Sequence, residues 1–192
     1  MAKKYLVHIE AERFIHNELG SIAHHLKSIV DGKLATGDRE GLALEMTACL
    51  TFIAFEMEAK VNFIGWKVFG DAWEERSGIE KKINKLCSEL KLSNDWKARP
   101  LATVRDLKEL RDTLAHGKPE IVDENKVVDV EPEIWDALKG QWERVVTVEF
   151  VNQAYKDTHL FWQQMLSSAE IKEYETVTSG GHSLSTVWNE TP

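Results

Sequence analysis

The sequence predicts an all-α protein, an antiparallel bundle of four to five helices, and three observations carry that prediction. Apolar residues recur at three- and four-residue steps over most of the chain. Only 4 prolines and 11 glycines punctuate 192 residues, too few for the turn-rich pattern of a β-sandwich. The connections between the periodic segments are short, which favours antiparallel neighbours.

From Lys4 to Val30 the residues Leu6, Ile9, Phe14, Ile15, Leu19, Ile22, Leu26, Ile29 and Val30 fall at helical steps, and Gly32 with the GKLATGD stretch predicts the end of that helix. Asp38 is placed to cap a second helix running to Phe69. Its middle is apolar around most of the circumference, so it belongs at the centre of the bundle. Ser77 opens a third, amphipathic helix through Ile79, Ile83, Leu86, Cys87 and Leu90 that stops near Asn94. Pro100 sits in the first turn of a fourth, where its missing N–H costs little. Leu101, Val104, Leu107, Leu110 and Leu114 form the stripe of that helix; Gly117 reads as its left-handed terminator, and Pro119 forbids continuation. Residues 120–131 read as a short hairpin-like excursion, with Ile121 and Val122 before the DEN turn and Lys126–Val130 after it. Glu133–Leu138 reads as a short helix. Glu143–Glu170 reads as a long final one carrying Val146, Phe150, Ala154, Phe161, Met165 and Leu166. The chain thus divides into a domain over 1–172 and a tail over 173–192 of loose composition.

A net charge of −8 argues against a general nucleic-acid binder. The charge is unevenly spread: Lys97–Lys118 carries +3, leaving −11 on the remaining residues, which suits a confined anion site or an interface to an acidic partner. Cys49 and Cys87 occupy apolar positions of helical patterns and read as small buried hydrophobes rather than a disulfide. The N-terminus lacks the apolar core of a signal peptide, and the longest apolar run, Met46–Phe55, is too short to cross a bilayer. A cytoplasmic protein without a membrane partner is expected.

The chemistry concentrates at Leu110–Glu120, LRDTLAHGKPE. Arg111 brings a fixed positive charge with a planar fork of donors, and His116 can move a proton near neutral pH, which together suit work on a phosphodiester. Asp112 lies four residues before His116 and can reach it along a helix. Arg111 and His116 themselves diverge by about 140° on an ideal helix, so only a departure from helical direction in the last turn would bring them together. Seven Arg and seven His give any one spacing about 0.25 times by chance, so the spacing alone says little, and a histidine in a last turn is also a common partner of the helix dipole.

The segment LRDTLAHGKP resembles the R-x(4–6)-H signature of the HEPN superfamily (higher eukaryote and prokaryote nucleotide-binding domains): arginine, a polar residue after it, and histidine among small residues. More loosely, ACLTFIAFEMEAKVNFIGWKVFG resembles the family's second long helix, with its acidic and asparagine positions near Glu56, Glu58 and Asn62, and KKINKLCSELKL resembles the helix before the motif. The resemblance covers about residues 40–120. It implies a helical bundle that dimerises so that two motifs share a cleft, and a metal-independent endoribonuclease of toxin–antitoxin or defence systems. Under it His116 transfers a proton as an RNA 2′-OH attacks its phosphate, Arg111 stabilises charge on the phosphoryl oxygens, and Asp112 orients His116 or supports the helix end. Arg105, Lys108 and Lys118 would hold the RNA backbone. The implied partners are RNA, a second copy, and a cognate antitoxin or other protein; no cofactor or metal is implied. The competing reading is an inactive HEPN-like module that binds a protein or a nucleotide, favoured by the −8 charge and by an aspartate beside the arginine.

His8, His16, His24 and His25 crowd the first segment, yet the chain has no E-x-x-H sequence, which removes the usual di-iron bundle signature. Solvated or core histidines are the simpler reading. Trp66, Trp73 and Trp162, among 7 tryptophans, read as packing residues, with base stacking as the sharper alternative.

Overall fold

In the computed structural model, which describes residues 4–123 and 137–187, the chain is mostly helical with one small two-stranded antiparallel sheet. The described elements, in order, are β1 (Lys4–Glu12), α1 (Ile15–Thr36), α2 (Leu42–Phe69), α3 (Ile79–Leu90), α4 (Leu101–His116), α5 (Gln141–Val145), α6 (Val148–Ser168) and β2 (Ser179–Val187). Single 3-10 turns lie at Gly70–Ala72 and Glu173–Thr176.

α2 is the central helix and packs against α1, α3, α4 and α6. Its broad apolar girth explains this: Met46, Cys49, Leu50 and Ile53 enter one core cluster with α1, α4 and α6, while Met57, Val61 and Ile64 enter a second with α3, α4 and α6. The α4 stripe divides the same way, Leu101 and Val104 into one cluster and Leu107 and Leu110 into the other. Each such side chain stabilises by roughly 1.5–3 kcal/mol on burial. Both cysteines are buried and free, and burial pushes each thiol up to about 11. A buried carboxylate, Asp157 on α6, ties α6 to the start of α4. It accepts two hydrogen bonds from Arg99 at 2.7 Å each and one from the Thr103 hydroxyl at 2.5 Å. Burial alone would raise its pKa; the bonds from Arg99 and Thr103 outweigh that and hold it below its ordinary value.

Gly65 lets α2 meet the loop that follows it. A Cβ there would fall 2.1 Å from the Trp73 ring, so no larger residue fits while the indole lies on the helix. Gly65→Ala is expected to cost about 1–3 kcal/mol, read as a lowered urea midpoint. An unchanged midpoint would show that Trp73 swings clear without loss.

Several expectations are corrected. Lys4–Glu12 is a strand, not the start of a helix: Tyr5, Val7, Ile9 and Ala11 alternate with His8, Glu10 and Glu12 at period two, and pairing with Ser179–Val187 realises that period. That partner was expected as loose tail; residues 188–192 lie outside the described residues. α1 runs through Gly32, whose missing side chain disturbs nothing, and ends at Gly37 with φ 73°, where Gly37 and Asp38 donate to Leu34 and Lys33. Asp38 does not cap α2. Its carboxylate accepts from the Glu40 N–H, and Gly41 at φ 67° precedes the helix. α3 stops at Leu90 rather than near Asn94, with Lys91 at φ 54°. The final helix is broken at Val146–Thr147 into α5 and α6, because the Thr147 hydroxyl caps α6 by accepting from Phe150 N–H. Glu120–Asp123 has no regular structure; the rest of the hairpin-like excursion, and the short helix up to Asp136, lie outside the described residues.

Candidate functional site

α4 carries the Arg–His motif, and its packing decides where each side chain points. With Val104, Leu107 and Leu110 buried, Arg111 lies at the edge of the stripe and faces α2 and α3. Its Nη1 donates to Glu58 Oε2 at 3.2 Å, and its Nε lies 2.9 Å from Asp112 Oδ1. Glu58 Oε1 in turn accepts from Lys82 Nζ at 3.0 Å, and the Lys82 residue is only 2% exposed. On the other side Asp112 Oδ2 lies 3.1 Å from Lys108, and Lys108 lies 3.7 Å from Glu80. Asp112 holds the Lys108 ammonium above its ordinary pKa. The result is one chain of alternating charge across α3, α2 and α4: Lys82, Glu58, Arg111, Asp112, Lys108, Glu80. Three cations meet three anions, and the cluster carries no net charge.

His116 closes α4 and is exposed, with no hydrogen-bond partner among the described residues. It lines an open cavity of about 640 Å³ with Asp112, Lys118, Glu120 and Trp142. Arg111 is not on that wall; it lines a narrow crevice with Met57, Glu58, Ile79 and Lys108. The helix holds its direction through His116, so the last-turn departure that would unite the pair within one chain does not occur. Nor does Asp112 orient His116, since its oxygens are taken by Arg111 and Lys108. Gly117, expected to be left-handed, has φ −46° and ψ 119° and leads into a segment without regular structure.

The three expected backbone-holding cations separate as well. Arg105 pairs with Asp106 at 2.9 Å and donates to the Trp96 carbonyl, Lys108 belongs to the ion-pair chain, and Lys118 is exposed without an ion-pair partner among the described residues. The paired cations of Lys97–Lys118 meet carboxylates both within the segment, Asp106 and Asp112, and from elsewhere in the fold, Glu58, Glu80 and Asp157. A second cavity of about 640 Å³ adjoins that of His116, sharing Thr113, Glu120 and Trp142, and Asp106, Glu109 and Arg144 bring charges of both signs to its wall.

Sequence reading missed Lys82 and Glu80 entirely and noted Glu58 only loosely. A signal existed: Lys82 falls on the same stripe as Ile79, Ile83 and Leu86, a charge at an apolar position. The N-terminal histidines do not converge. His8 is on β1 beside Glu10, His16 is buried under Thr176, and the His24 Nδ1 lies 2.8 Å from the Tyr155 hydroxyl. Among the described residues no group of three or more His, Cys, Asp or Glu is placed to hold a metal ion. None of the described helices is long and apolar enough to cross a membrane. Comparison with protein-family models, curated proteins and solved structures finds no match to this chain.

Proposed function

We propose that this chain is a metal-independent endoribonuclease of the HEPN type, a cytoplasmic antiparallel bundle that works as a homodimer in a toxin or defence role. The observation that carries the reading is the bond from Arg111 to Glu58. It joins the motif helix to the long helix through the two positions that resemble the family's arginine and its acidic site. His116, exposed at the end of α4 and facing an open cavity, has room to meet a phosphate. In this reading it accepts the proton of an RNA 2′-OH as that oxygen bonds to phosphorus. The P–O5′ bond breaks and the 5′ oxygen leaves with a proton taken from water, giving a 2′,3′-cyclic phosphate and a 5′-hydroxyl. Arg111 offsets charge on the non-bridging oxygens, and the carboxylates around it fix its position. A two-fold that places two motifs in one cleft removes the need for both groups of one chain to reach the same phosphate. Lys118, with Arg105 and Lys108, contributes to holding the backbone, and a cognate antitoxin fits such a role.

His116→Ala is the clean test, because that side chain is exposed and has no hydrogen-bond partner among the described residues. Purified protein incubated with RNA in excess EDTA is expected to leave cyclic-phosphate ends, and the variant is expected to be slower by about 10²-fold or more. Intact RNA with the wild type, or equal rates for both proteins, sinks the proposal. One observation favours the inactive module instead: the Arg111 guanidinium already faces two carboxylates, Glu58 and Asp112. Intact RNA together with a co-purifying nucleotide or protein would establish that alternative.

A further inference from the structure

We propose that the free edge of β1 is an interaction surface for a second copy of this chain. The two β1 strands pair antiparallel about a two-fold axis at His8, giving a four-stranded sheet in the order β2–β1–β1–β2. This stands independently of the nuclease reading.

The ribbon is an unfinished element. All residues from Tyr5 to Arg13 and from Ser179 to Ser185 are exposed, so neither face of the two-stranded sheet is covered. One face is nonetheless apolar: Tyr5, Val7, Ile9 and Ala11 alternate onto it, and Leu184 joins it opposite Val7. Two strands without a covered face are marginal in water, and these two are brought together from opposite ends of the chain. Among the described residues the hydrogen bonds that anchor it lie at the base, where Thr178 Oγ1 accepts from the Phe14 N–H and Asn17 donates to the Thr176 carbonyl.

The sequence selects which edge and which register. Protected edges carry proline, bulges or mid-strand lysine, and β1 has none of these between Tyr5 and Glu12. β2 is poorer strand material, with Gly180, Gly181 and three serines. Centring the pair on His8 uses all nine residues of β1. It sets Tyr5 against Ala11 and Val7 against Ile9 of the second copy, so the apolar face continues across the axis; a slip of one residue would break it. The same register sets Lys4 against Glu12 at both ends. Within one chain those positions pair in register with Val187 and Ser179.

The test is sedimentation of the full chain over a micromolar dilution series. Wild type is expected to be a dimer, Lys4→Glu to weaken it about tenfold by setting like charges opposite each other twice, and Lys4→Glu with Glu12→Lys to restore it. As a second measurement, His8→Cys is expected to cross-link the dimer on oxidation. Strand positions directly opposite each other lie about 4.5–5.5 Å apart at Cα, within disulfide reach. Tyr5→Cys, far from the axis, is expected not to cross-link. A monomeric wild type, a dimer untouched by Lys4→Glu, or no cross-link through His8→Cys each overturns the proposal.

Discussion

Glu58→Ala is expected to destabilise the protein by about 3–5 kcal/mol, the cost of leaving a buried charge without its partner. Lys82 is the reason. Its side chain is 1% exposed, and among the described residues its ammonium has one anionic partner, Glu58, at 3.0 Å. Removing that carboxylate strands the ammonium in the interior and at the same time frees Arg111 from α2. The pair itself is a different matter, since a buried ion pair replaced by a packed apolar residue is often neutral or stabilising. Lys82→Met alone should therefore cost little, and Lys82→Met in the Glu58→Ala background should recover most of the loss. Urea unfolding of the three variants decides it. A Glu58→Ala protein within about 1 kcal/mol of wild type would mean that Lys82 reaches water without Glu58.

The second large effect is a loss of stability in mild acid. His16, in the first turn of α1, is 4% exposed and packed among Phe14, Phe63 and Trp162. Its Nε2–H donates to the Thr176 carbonyl at 3.1 Å. Burial is the main force on the ring and opposes its charge; the Thr176 bond favours the charge, and Lys60 opposes it. The pKa falls from the usual 6.5 to about 4. The unfolded chain therefore takes up a proton between those values that the folded protein refuses. Stability is full above about 6.5, falls as the pH drops, and has lost about 3 kcal/mol from this group by about 4. Asp157 acts in a lower window, because its folded value lies below the ordinary 3.8 and its contribution disappears only beneath that. Urea midpoints between pH 7 and pH 4 should trace the His16 loss. His16→Gln keeps a donor for Thr176 without a titrating ring and should flatten the slope; a slope equal to wild type would assign the effect to other groups.

The two networks behind these predictions were differently visible in the sequence. Helix positions were legible because the signal is local: Leu101, Val104, Leu107 and Leu110 at helical steps bury as expected, and the apolar girth of Met46–Phe55 put α2 at the centre. The motif was legible as a string of residues, and so was the divergence of Arg111 from His116, because helical geometry alone sets it. The periodicity of Tyr5–Glu12 was ambiguous, since Leu6 and Ile9 also fit helical steps; the ambiguity is resolved only by a partner strand at the other end of the chain. The break at Val146–Thr147 was missed because the apolar pattern continues across it, and the Thr147 cap that separates α5 from α6 interrupts the backbone without interrupting the stripe.

By itself, then, the sequence determined the helical class, the course of α2, α3 and α4, the burial of Cys49 and Cys87, and the presence of an arginine and a histidine at the end of one helix. Only the tertiary structure decided that Arg111 faces Glu58 rather than His116, that Lys82 is buried against that same carboxylate, that Asp112 serves Lys108, and that the two ends of the chain meet as strands. The physical reason is range. Hydrophobic periodicity and capping act over a turn or two and are written in consecutive residues. The Lys82–Glu58 and Arg111–Glu58 ion pairs and the β1–β2 ladder join residues 24 to 183 positions apart, and whether two such charges meet depends on how the helices between them pack.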